Sequence, residues 1–88
     1  MHTHITELRK KANALNPILQ VGKAGITDAL ITELRKLLHR HKLVKVKLLK
    51  SFIDQTPSKE AAKELSEKAD GKIIAQTGFM VCLYRGKL

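Results

Sequence analysis

The chain has 88 residues, 43% hydrophobic and 28% charged, proportions that fit one globular domain and argue against global disorder. A single cysteine, Cys82, excludes an internal disulfide and a cysteine-based zinc site. No apolar run is long enough to span a bilayer or form a secretory core, so a soluble, cytoplasmic protein with no membrane partner is expected.

Lys plus Arg number 17 against 8 Asp plus Glu, a formal net charge of +9 and a pI near 10.0. So basic a balance points to a polyanionic partner, nucleic acid first. Residues 1–50 hold 11 basic and 3 acidic side chains, while residues 51–88 hold 6 and 5. The excess sits in the first part, so one surface can be positive while another is neutral.

Residues 3–15 read as a helix, with Ile5, Leu8, Ala12 and Leu15 at helical spacing and Arg9, Lys10 and Lys11 toward water. Pro17 disfavours helix at Asn16 and ends it. Residues 18–21 form a short apolar strand, and Gly22-Lys23-Ala24-Gly25 a tight turn. Thr27 is placed to cap the next helix, with Asp28 suited to its positive end and Ile26 and Ile31 spaced as a hydrophobic staple. That helix runs to about residue 39 and buries Leu30, Leu34, Leu37 and Leu38. Residues 43–49 alternate, with Val44, Val46 and Leu48 on one face and Lys45 and Lys47 on the other. This predicts a half-buried strand with an open basic face.

Residues 52–55 read as a connection. Thr56-Pro57 starts a third helix over residues 57–69, with Ala61, Ala62, Leu65 and Ala69 inward, and Asp70-Gly71 stops it. Residues 72–75 and 79–85 are strands around Gln76-Thr77-Gly78, a hairpin. The order is α-β-α-β-α-β-β: an α/β fold with a four-stranded mixed sheet and three helices. The strand–helix–strand steps imply parallel neighbours.

The loop at residues 22–25 lies between a strand and a helix start. Helix starts present unpaired amides and the positive dipole end, and glycines let backbone approach an anion. Lys23 adds an ammonium, so the loop fits a phosphate grip like the G-x-x-G loop of KH domains. Two glycines alone also serve a plain turn, and neither a Walker A nor a dinucleotide fingerprint is present. Arg35, Lys36, Arg40, Lys42, Lys45, Lys47 and Lys50 form an acid-free run that would favour phosphate over a merely solvated face.

Phe52, Phe79 and Tyr84 are the only aromatics. Phe79 and Tyr84 read as packing residues rather than a base-stacking platform, so recognition should rest on backbone and shape. His39 and His41 do not share a helix face, and His2 and His4 lie at a terminus expected to fray, so no metal site is expected. Cys82 reads as a packed thiol. With no carboxylate pair or nucleophile–base order, neither catalytic residues nor cofactors are expected.

Residues 14–27, Ala-Leu-Asn-Pro-Ile-Leu-Gln-Val-Gly-Lys-Ala-Gly-Ile-Thr, resemble the opening of the CRM domain (chloroplast RNA splicing and ribosome maturation) in its stand-alone, YhbY-like form. Residues 41–47 resemble the family's Lys-Val-Lys strand, and residues 71–85 its closing hairpin, which ends in Tyr-Arg. The resemblance covers nearly the whole chain, with three segments in order. It implies a fold related to the C-terminal domain of translation initiation factor 3. It also implies RNA binding with Gly22, Lys23, Ala24 and Gly25 as a contact element; the charge pattern adds Lys45, Lys47 and Arg85, which would extend the electrostatic footprint. One domain favours a monomeric accessory factor acting on ribosomal RNA or pre-ribosomal particles, and their proteins, over a multi-domain splicing factor. The alternative is a protein-interaction module docking on a ribosomal or RNA-processing protein. The chain stops three residues after Arg85, so a basic C-terminal tail that would add RNA affinity is not expected.

Overall fold

The computed structural model describes residues 2–86. The elements are α1 (His2–Ala14), β1 (Leu19–Val21), α2 (Asp28–His41), β2 (Leu43–Leu48), α3 (Lys50–Ile53), α4 (Ser58–Ala69), β3 (Lys72–Thr77) and β4 (Met80–Tyr84). They build one mixed sheet in the order β1-β2-β4-β3. β1 runs parallel to β2, and β4 is antiparallel to both neighbours. The expected α/β class and four-stranded mixed sheet hold.

Strand alternation divides the molecule into layers. Val44, Val46 and Leu48 of β2 share a face with Val81 and Leu83 of β4. Together with Val21 they pack against Leu34 and Leu38 of α2 and Ala61, Ala62, Leu65 and Ala69 of α4. The four inward residues of α4 are those its 3.6-residue spacing singles out. α1 lies against β2 and β3, and Leu8, Ala12, Ile74 and Cys82 are buried outside the main core. Lys45, Cys82 and Tyr84 alternate to that second face, so α1 covers it in part.

Four local expectations are corrected. Residues 50–53 form a one-turn helix, because Phe52 is only 5% exposed and turns back into the core. Pro57 occupies the N-cap of α4, its carbonyl accepting the Ala61 amide at 3.0 Å. The hairpin turn falls at Gly78-Phe79 rather than Gln76-Thr77-Gly78. Gln76 and Thr77 stay paired with Val81 and Met80, and Gly78 supplies the positive φ of 57° that reverses the chain. The crossover through α4 does not make β2 and β3 neighbours: the hairpin returns β4 between them, where it pairs with both.

The α1 layer is tied down by cations. A register shift between Ile73 and Ala75 marks a bulge in β3. The Arg9 Nε donates to the Ile74 carbonyl there at 3.2 Å, so Arg9 serves a backbone acceptor within the bulge. The His4 ring meets Tyr84 edge-on, centroids 5.9 Å apart, so Tyr84 serves packing as expected. Burial pushes the Cys82 thiol above its ordinary range, with Lys45 pulling weakly the other way. In the folded protein Cys82 is therefore expected to resist alkylation at pH 8 and to react on unfolding. The unfolded chain releases the thiol proton first, so stability should fall as pH rises above about 8.5. Alkylation rates and denaturation midpoints across pH 7 to 10 check both statements.

Lys42 joins α2 to β2 at φ 68° and ψ −43°, a region costly to a side chain with a Cβ. Two bonds hold it there: its amide donates to Leu38 (2.9 Å) and its carbonyl accepts from Arg85 (2.8 Å). Lys42→Gly is expected to raise stability by about 1 kcal/mol, strain relief exceeding the added unfolded-state entropy. Thermal melts read this directly.

Candidate nucleic-acid interface

The loop at residues 22–25 follows directly from the end of β1. Its turn is closed by the Gly25 amide donating to the Gly22 carbonyl at 2.9 Å. Gly25 adopts φ +77°, which a β-carbon would strain. Beneath it lies Phe52, whose Cε1 would stand 3.9 Å from such a carbon. Lys23 and Ala24 are exposed at the tip, and their amides have no hydrogen-bond partner among the described residues. Thr27 caps α2 as expected, its Oγ1 accepting the Leu30 amide at 3.1 Å. The loop thus presents free donors, a mobile ammonium and a helix start to solvent.

Lys47 and Lys50 belong to the same end of the sheet. Val21 is in register with Leu48, and the Leu49 amide donates to the Val21 carbonyl at 2.9 Å. The hairpin tip is there too, since the Phe79 carbonyl accepts the Leu48 amide at 2.7 Å. Phe79 is 52% exposed, which corrects its reading as a packing residue: the turn lifts it off the sheet. This end is not uniformly positive. Asp28 opens α2 and Asp54 follows α3, both exposed.

The other half of the acid-free run lies elsewhere. Leu43 is in register with Tyr84, and Arg85 donates its amide to Lys42. These positions are at the far end of β2, about 17 Å from Leu48 at ~3.3 Å per residue. There Arg35, Lys36, His39, Arg40 and Arg85 line a groove of about 400 Å³ without a carboxylate. The fold therefore separates Arg85 and the α2 cations from the glycine loop. α2 carries most of its cations on its second half, away from its own N-terminus. The structure brings Gly22, Lys23, Ala24, Gly25 and Lys47 to one end and leaves Arg85 at the other. Arg35, Lys36 and Arg40 were visible in the run, but only the fold sets Arg85 beside them.

Lys45 is the second correction. Its Nζ donates to the carbonyls of Ala12 and Leu15, each at 3.2 Å. These are acceptors at the end of α1, where a cation also meets the negative dipole end. The predicted open face is closed here because α1 lies across it, a contact 33 and 30 residues away in sequence. No cluster of three or more His, Cys, Asp or Glu side chains suited to a metal occurs among the described residues, and the side chain of His2 lies outside them. No helix among them is long and apolar enough to cross a membrane.

A sheet with helices on both faces, a glycine-flanked lysine loop and a basic far end define a domain whose chemistry is directed at an anion. The family model of the CRS1/YhbY (CRM) domain matches residues 2–85. The chain belongs to that family. It is 31% identical over 78 residues to "Probable RNA-binding protein YqeI" of Bacillus subtilis, covering 89% of this chain and 79% of that one. It is 32% identical over 78 residues to a protein of Methanocaldococcus jannaschii also named as a probable RNA-binding protein. That match covers 89% of this chain but only 58% of the archaeal relative's length. The solution structure of a Staphylococcus aureus protein superposes with a TM-score of 0.78 at 31% identity, covering 100% of this chain and 90% of the other.

Proposed function

We propose that this chain is an RNA-binding protein that holds its ligand mainly by phosphate, at two places. At one end the loop amides and Lys23 grip the backbone, with Lys47 and Lys50 beside them. At the other, Arg35, Lys36, Arg40 and Arg85 track it along their groove. The observation that carries this reading is a carboxylate-free groove lined by these four cations and His39, together with an exposed loop bearing unpaired amides. The names of the relatives agree with it. Lys45 acts from inside, by holding α1 in place. Family resemblance supports the finer assignment, an accessory role on ribosomal RNA of the maturing large subunit.

Phosphate contacts release counterions, so affinity should fall steeply with salt. If about four phosphates are neutralised, log K against log salt should have a slope of about −3. Fluorescence anisotropy with a structured ribosomal RNA fragment, from about 50 to 200 mM salt, measures it. A nearly salt-independent affinity would favour a docking module that meets protein instead.

A further inference from the structure

Beside the far basic end lies a groove that the phosphate reading does not use. It has a volume of about 460 Å³, within the range of about 300–1,000 Å³ typical of sites for small molecules. Leu15, Ile18 and Leu43 form apolar walls, and Asn16, Lys11 and His41 are polar neighbours. Leu15 is 37% and Ile18 50% exposed. The walls are braced: Lys45 holds the Leu15 carbonyl, and the Ile18 amide donates to the Lys45 carbonyl at 3.1 Å. Asn16 follows the end of α1 and precedes Pro17, which disfavours helical backbone there.

Resting on the RNA reading, we propose that this groove receives one unpaired nucleobase of the bound RNA. The apolar walls meet the face of the base. The Asn16 side chain offers both a donor and an acceptor to its edge. The Lys11 ammonium stands ready for a flanking phosphate. No carboxylate lines the groove, so its charge suits a nucleotide. His41 directly follows Arg40, which lines the basic groove. A strand whose phosphates run along Arg35, Arg40 and Arg85 reaches the slot by passing round the end of the sheet at Leu43, from the α2 face to the α1 face. Such a slot gives a chain with only three aromatics a way to prefer unpaired RNA without a stacking platform.

The test compares two single-stranded oligoribonucleotides of equal length, one complete and one carrying abasic sugars throughout its centre. Their phosphates are the same, so only base contacts differ. The full chain is expected to bind the complete strand roughly five-fold more tightly, the equivalent of about 1 kcal/mol. Ile18→Ser and, separately, Asn16→Ala should bind the two strands with closely similar affinity, while binding the abasic strand as the parent does. Both positions are exposed, and unchanged melting temperatures verify that each variant folds. Equal parental affinity for the two strands, or a preference that survives both substitutions, overturns the slot while leaving phosphate binding intact. Failure to bind these strands and structured RNA alike removes both readings. Methyl resonances of Leu15, Ile18 and Leu43 that move with an apolar peptide but not with the complete strand would assign the groove to protein and also overturn the proposal.

Discussion

Lys23→Glu is expected to weaken binding of structured RNA by about ten-fold, ~1.4 kcal/mol, without lowering the melting temperature. Lys23 is exposed at the loop tip, and no salt bridge or side-chain bond of it is present among the described residues, so its replacement disturbs no internal contact. The substitution removes one phosphate partner and sets a carboxylate beside the free amides of the same loop. Arg85→Glu should produce a loss of similar order from the opposite end of β2. The two sites sit at opposite ends of β2, whose length alone spans about 17 Å at ~3.3 Å per residue, beyond the range at which substitutions usually couple. The double variant should therefore lose about the product of the two factors. Anisotropy titrations of the single and double variants provide all the numbers. A double variant no weaker than either single would mean that only one end meets RNA.

The largest effect on stability is expected from Leu34→Ala. Leu34 is fully buried between α2 and the sheet, and truncating such a side chain costs about 2–5 kcal/mol. Domains of this kind carry only about 5–15 kcal/mol in total, so a fall of roughly 8 °C or more in melting temperature should follow. Leu37, one turn-position round the same helix and half-buried, should cost less when truncated. α2 presents Leu34 and Leu38 inward and Arg35, Lys36 and Arg40 outward. RNA binding by Leu34→Ala should consequently be lost in step with unfolding, and be retained at temperatures where the variant is still folded. Calorimetry and binding measured on one temperature series separate the two effects.

What could be read from the chain was what local chemistry decides. The Thr27 cap depends on a hydroxyl three residues from its amide donor. The inward set of α4 follows from its own period, and the alternation of β2 fixes which residues enter the core. Strand alternation also put Lys45 and Lys47 on one face, but it says nothing of what covers that face. α1 settles this through contacts about 30 residues distant. The hairpin turn lies a residue or two beyond the polar Gln76 and Thr77 that suggest it, because pairing persists until Gly78 supplies the dihedral that turns the chain. In the acid-free run, nearness in sequence suggested one patch. A helix of 14 residues followed by a strand of six running back carries its charges to both ends of the sheet, and only the register of β4 reveals that Arg85 joins the α2 cluster.

Resonance mapping of isotope-labelled protein titrated with structured ribosomal RNA tests the two-ended grip most directly. The backbone amides of residues 22–25 and the side-chain signals of Arg35, Arg40 and Arg85 should shift together. The solvent face of α4, where Lys59, Lys63 and Lys68 are balanced by Glu60, Glu64 and Glu67, should stay still. Shifts gathered on α4, or a silent loop alongside saturable binding, would contradict it.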